Sequence, residues 1–143
     1  MHIDLDSFYA SIEEVRNNSI KGKPIVICVY SGRTQNSGAV STSNYSARKL
    51  GIKSGMPIVL AKRIAMNKEV VFLPVDIEYY REVSDRIMNL IEEESDTLEQ
   101  VSIDEAYIDV TEKTNSNWNK AIQVANTIKQ KILSQEGLTA SVG

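Results

Sequence analysis

The spacing of apolar positions changes along the chain, and each change marks an element. Ile3, Asp4 and Leu5 alternate, which predicts a short strand with Ile3 and Leu5 on one face and the Asp4 carboxylate on the other. Phe8, Ile12 and Val15 then recur at helical spacing, with Ser7 placed to cap the helix and Asn17-Asn18-Ser19 to stop it. A β-branched run over residues 25–30 and a second strand over 38–42 enclose a polar turn, so a hairpin is expected. Two short helices follow over 44–50 and 57–65, with Gly51 and Gly55 as breaks, then a strand over 70–73. Two long amphipathic helices come next. One directs Tyr80, Val83, Ile87, Leu90 and Ile91 inward, and the other Trp118, Ile122, Ala125, Ile128 and Ile132. Between them residues 98–110 read as two strands meeting near Ile103-Asp104-Glu105, and residues 138–142 form a last strand.

This order predicts an α+β fold: a largely antiparallel sheet with helices on one face, the other face open to a substrate, and a basic insertion after the first helix. No repeat or low-complexity tract interrupts it, and 143 residues with 42% hydrophobic and 24% charged content suit one globular unit. No apolar run approaches the roughly 20 residues of a membrane helix, so a soluble, intracellular protein without a membrane partner is expected. The single cysteine, Cys28, falls in an apolar strand and reads as a core residue. His2 is the only histidine, which excludes a histidine-rich zinc site or a histidine-based triad.

Charge sharpens this picture. Residues 21–68 hold nine basic side chains, Arg33 among them, and no acidic one, a block of +9; the rest of the chain, with seven basic and 19 acidic residues, sums to −12. One part suits a polyanion and the other suits cations.

Asp4 and Asp6 flank the end of the first strand, and Asp104 and Glu105 lie at the tip of the later hairpin. Any one of them alone is most simply an exposed acid. Brought together, carboxylates from adjacent strands would offer Mg²⁺ the oxygen ligands it takes while leaving positions open for phosphates. In the basic block, Tyr45 lies three and four residues before Arg48 and Lys49, so a hydroxyl, a guanidinium and an ammonium share one helix face. First-turn amides and an arginine fork would add to the attraction for a triphosphate.

Four segments together resemble the Y-family DNA polymerases of the DinB type. They are residues 2–11 (HIDLDSFYAS), 38–49 (GAVSTSNYSARK), Gly55-Met56-Pro57, and 102–107 (SIDEAY). The resemblance implies a ferredoxin-like palm with a small fingers insertion: palm over 1–20, fingers over 21–75, palm again over 76–143, and no thumb or little-finger domain within the chain. It implies that Asp4, Asp104, Glu105 and the backbone carbonyl of Leu5 bind two Mg²⁺ ions, with Mn²⁺ able to substitute, whereas Asp6 is not a principal ligand. Tyr9 would be the steric gate against a 2′-hydroxyl, Tyr45 and Arg48 would hold the triphosphate, and Ser41 and Thr42 would face the nascent base pair.

The implied partners are primer-template DNA, deoxynucleoside triphosphates and a sliding clamp reached through parts beyond Gly143. The implied reaction is template-directed translesion synthesis by two-metal phosphoryl transfer, in the cytoplasm at the nucleoid. The start just before Ile3 suggests a trimmed N-terminus. The end at Gly143, where the family continues, predicts a fragment that is weak or inactive alone. Two other readings are a palm-type nucleotide cyclase, which the motif over 44–49 disfavours, and a non-catalytic damage-tolerance module, which retention of all three candidate ligands disfavours.

Overall fold

Strand β1 (His2–Leu5) keeps the expected alternation, with Ile3 and Leu5 buried and His2 and Asp4 partly exposed. It opens a computed structural model that describes every residue except Arg33 and Gln35; Arg33, one of the nine basic residues, thus lies outside the described residues. The chain divides into two compact units, one of residues 1–6 and 77–143, the other of residues 7–76.

In the first unit, α4 (Ile77–Glu92) follows β1 across the inserted second unit, and then come β5 (Thr97–Gln100), β6 (Glu105–Asp109), the short α5 (Thr111–Thr114), α6 (Trp118–Glu136) and β7 (Ala140–Val142). The strands form one sheet in the order β5-β6-β1-β7, every neighbouring pair antiparallel. A β-α-β-β-α-β order with the first strand inside the sheet is the expected ferredoxin-like arrangement. Ile3, Leu5, Ala106, Ile108 and Ala140 are buried, as is the α4 stripe of Tyr80, Val83, Ile87, Met88 and Ile91. Arg86 on α4 grips Glu136 on α6 through two 2.8 Å hydrogen bonds, and Lys131 on α6 reaches Glu93 and Glu94 after α4.

The inward face of α6 differs from expectation. Ile128 and Ile132 are fully buried, but Trp118 is 84% and Ile122 60% exposed. A 19-residue helix runs about 28 Å, whereas the longest strand beneath it, of five residues, spans about 17 Å; the first turns of the helix therefore overrun the sheet.

In the second unit, α1 (Phe8–Arg16) and a 3₁₀ turn (Asn18–Ile20) precede β2 (Ile25–Tyr30) and β3 (Gly38–Ser43), which form the expected antiparallel hairpin. Helices α2 (Tyr45–Lys49) and α3 (Ile58–Ile64) follow, then β4 (Val71–Pro74), which pairs with β2 in parallel. Residues 25–28 are wholly buried, as a central strand covered on both faces must be. Val26, Cys28 and Val40 pack with Ala47, Ile52, Ile58, Ala61 and Ala65, so Cys28 is the core residue its setting predicted.

Two details of α1 correct the sequence reading. Val15 is 55% exposed, and Ala10 and Glu13 take its place beside Phe8 and Ile12 on the buried side. Ser7 does not cap the helix: its backbone is left-handed (φ 48°, ψ 42°), and its hydroxyl oxygen is buried without a hydrogen-bond partner. A capping side chain needs extended backbone to fold back onto the helical amides, and the left-handed turn carries Oγ away from them.

Candidate metal centre

Antiparallel pairing decides which side chains meet on the open face of the first unit's sheet. Asp4 on β1 stands directly opposite Glu105 on β6 and Ser141 on β7, and His2 stands opposite Tyr107. Directly opposed residues share a face with Cβ atoms about 5 Å apart, so the strand-end carboxylate and the hairpin carboxylate become neighbours through register alone. The Leu5 amide donates to the Asp104 carbonyl at 2.9 Å, which locks the hairpin tip beside the end of β1.

The electrostatics record this crowding. The Asp4 carboxyl is held above its ordinary value, first by burial, then by the charges of Asp104 and Glu105, by a hydrogen bond with Glu105, and by Asp6. A nearby cation would act against both the burial and the neighbouring charges and favour the ionised carboxylate. The donor set of three carboxylates therefore fits a hard divalent ion, although among the described residues no group of three or more His, Cys, Asp or Glu side chains forms a ready cation cage.

The remaining side chains of this face are held in distinct ways. Asp6 accepts a 2.7 Å hydrogen bond from the Ser141 hydroxyl, and its amide donates to the Thr139 carbonyl. Asp104 Oδ1 accepts from the Ser102 hydroxyl at 2.7 Å, and the Asp104 amide donates back to that hydroxyl at 3.3 Å. His2 Nε2 lies 4.0 Å from Glu105 Oε1, and its ring lies 4.9 Å from that of Tyr107.

The candidate nucleotide-binding residues lie in the second unit. Asn44 sits at the start of α2, where its side-chain Oδ1 accepts from the backbone amides of Ala47 and Ile25, both at 3.0 Å, and its side-chain Nδ2 donates to the Lys23 carbonyl at 2.8 Å. The Ala47 amide, expected among those facing an anion, is thus taken up by the cap. Tyr45 is 62% exposed, and the Arg48 guanidinium lies 5.3 Å from its ring centre while Arg48 Nε donates to the Ser43 carbonyl at 2.8 Å. The Tyr45 ring and the Arg48 guanidinium thus lie side by side. Ser41 and Thr42 lie on β3, partly exposed, with the Ser41 carbonyl taken by the Ser54 hydroxyl. Tyr9 is partly exposed on α1, its ring 5.8 Å from that of Phe8.

Sequence reasoning passed over Ser84 and Gln100, which hold the hairpin tip from below; the one available signal was a lone serine inside the apolar stripe of α4.

A ferredoxin-like sheet that sets Asp4 opposite Glu105, with a basic unit inserted in the chain, agrees with the impB/mucB/samB family, whose model matches residues 3–143; the chain belongs to that family. It is 52% identical over 143 residues to the DNA polymerase IV of Metallosphaera sedula, covering all of this chain and 40% of that protein. It is 50% identical to the DNA polymerase IV of Nitrosopumilus maritimus, covering 99% of this chain and 39% of that one. Among solved structures, a Y-family DNA polymerase chimera superimposes with a TM-score of 0.96 at 51% identity, over 99% of this chain and 41% of the other. An insertion ternary complex of Dbh DNA polymerase does so with a TM-score of 0.92, also at 51% identity, over 99% and 41%. The chain spans about 40% of the length of these curated relatives. No helix among the described residues is long and apolar enough to cross a membrane.

Proposed function

We propose that this chain is the catalytic front of a translesion DNA polymerase, adding deoxynucleotides to a primer 3′-hydroxyl on a DNA template. The observation that carries this reading is the opposition of Asp4 and Glu105 on one sheet face, with Asp104 close enough to raise the Asp4 carboxyl. Family membership and relatives named DNA polymerase IV support it.

Asp4, Asp104 and Glu105, helped by the Leu5 carbonyl, are the residues that would hold Mg²⁺, with Mn²⁺ as a substitute. Bound divalent cations supply Lewis acidity at the primer oxygen and neutralise charge on the leaving pyrophosphate. The residues of the chain do the positioning. Asp4 would ligate as the carboxylate, together with Glu105 and Asp104, and Ser102 orients Asp104 through its 2.7 Å hydrogen bond. In the second unit, Arg48 and Tyr45 bind the triphosphate; Arg48 is partly pre-set by its bond to the Ser43 carbonyl, which lowers the cost of ordering it. Tyr9 fills the space a 2′-hydroxyl would need, and the small Ser41 and Thr42 leave room beside the new base pair. The primer oxygen bonds to the α-phosphorus as pyrophosphate departs, so no side-chain nucleophile is required. A sliding clamp is the further partner we assign to the whole protein.

Primer extension with the chain lengthened to match its relatives tests this directly. Template-dependent incorporation that disappears in Asp104→Ala is expected. Equal extension by both proteins would remove the carboxylates from the chemistry, and cyclic nucleotide made without a template would replace the polymerase reading by the cyclase one.

A further inference from the structure

Ser84 is the polar member of a stripe on α4 otherwise made of Tyr80, Val83, Ile87, Met88 and Ile91, and only 1% of its surface is exposed. A hydroxyl costs free energy to bury unless it is hydrogen-bonded, and alanine would continue the stripe without that cost. The bonds it makes all lead to one place. The Ser84 hydroxyl donates to the Ile103 carbonyl and accepts a long 3.4 Å contact from the Gln100 side-chain amide. The same amide of Gln100 donates to the Ser102 carbonyl at 3.0 Å. Both carbonyls immediately preceding Asp104 are therefore tied down, one by a helix residue and one by the end of β5. The chain of contacts then continues through the Ser102 hydroxyl to Asp104 Oδ1 at 2.7 Å.

A tight turn held only by its own strands could swing the carboxylate it carries by several ångströms, and a divalent ion tolerates little such error. Here the turn is fastened to the most buried helix of the first unit. We propose that Ser84 and Gln100 are positioning residues for Asp104: they fix the backbone of residues 102 and 103 so that the Asp104 carboxylate stays directed at the metal. This rests on the reading of Asp104 as a metal ligand, and Ser84 and Gln100 touch neither ion nor substrate.

The test is Mn²⁺ affinity of the 143-residue chain, read from the free-ion signal in electron paramagnetic resonance. The proteins compared are the unaltered chain, Ser84→Ala, Gln100→Ala, Asp104→Asn, and Ser84→Ala combined with Asp104→Asn. Loss of an outer-shell partner weakens metal binding by about 10-fold or more, so Ser84→Ala and Gln100→Ala are each expected to weaken Mn²⁺ by about that factor. In the Asp104→Asn background, Ser84→Ala should add no further loss, which a general loosening of α4 would not produce. Gln100 is exposed, so its variant decides the matter if Ser84→Ala does not fold. Unchanged affinity in both single variants while Asp104→Asn weakens binding overturns the positioning role alone, as does an equal Ser84→Ala loss in both backgrounds. Unchanged affinity in Asp104→Asn itself overturns the ligand assignment and the positioning role together.

Discussion

The first unit carries six basic and fifteen acidic side chains, a net of −9, and the second carries ten basic and four acidic, a net of +6. Each handles its charge differently. The first unit sets Asp4 opposite Glu105 on one sheet face, with Asp104 near enough for its charge to add to the rise that burial gives the Asp4 carboxyl. The second leaves Tyr45, Arg48 and Lys49 exposed on a short helix whose start is fastened by the buried Asn44. Like charges held close are a strain the fold tolerates for a ligand of opposite sign, whereas exposed cations cost the fold little and attract phosphate at long range. On the function proposed above, the first unit would hold a tightly bound cation, and the second a polyanion that comes and goes.

If that contrast is right, removing a carboxylate and removing a cation should fail in different ways. The largest effect belongs to Asp104→Ala, which in the lengthened chain should lower primer extension by at least about 100-fold, since even outer-shell changes at metal sites cost up to about that much. Tyr9→Ala should come next. Discrimination against ribonucleotides should fall by about 100-fold, the order that rejection of one added hydroxyl reaches, while deoxynucleotide incorporation persists; unchanged discrimination would take the gate role from Tyr9. Arg48→Ala should weaken nucleotide binding by about 10-fold, as loss of one charge-assisted hydrogen bond does, and leave Mn²⁺ affinity untouched. A matching loss of Mn²⁺ affinity would break the division of labour between the units.

The smallest effect is on stability, and its sign is the informative part. Asp4 titrates higher in the folded chain than its ordinary value of 3.8, so the folded state keeps a proton that the unfolded state has released. The contribution of Asp4 to stability is then fully present below 3.8 and is lost as pH rises through the raised value. Without metal, Asp4→Asn should abolish that fall and raise Tm at neutral pH. Thermal unfolding across pH 3–8, with and without Mn²⁺, checks it; a lower Tm for Asp4→Asn without metal would mean that the carboxylate cluster is not strained.

How far the sequence alone could be read followed the local physics. Alternation in β1 and β-branched runs in β2 are period-2 signals set by the sheet itself, and both strands lie where those signals put them. The burial of Ile128 and Ile132 was legible in the α6 spacing, but the exposure of Trp118 and Ile122 was not, because periodicity gives a helix face and says nothing of where the sheet beneath it ends. The Ser7 cap failed for a related reason: residue type predicts a cap only when the backbone is extended, and here the strand-to-helix turn requires a left-handed residue. Within the site, motif positions led to Asp4, Asp104 and Glu105. Their convergence depended on register, and the Ser84 and Gln100 contacts depended on packing between elements distant in sequence.

Anomalous diffraction from crystals of this chain soaked in Mn²⁺ bears most directly on the central claim. A manganese peak within coordination distance of oxygens from Asp4, Asp104 and Glu105, with the Asp4 carboxylate turned toward it, is the predicted result. Manganese bound only elsewhere, or no peak at a concentration that stabilises the chain, would contradict it.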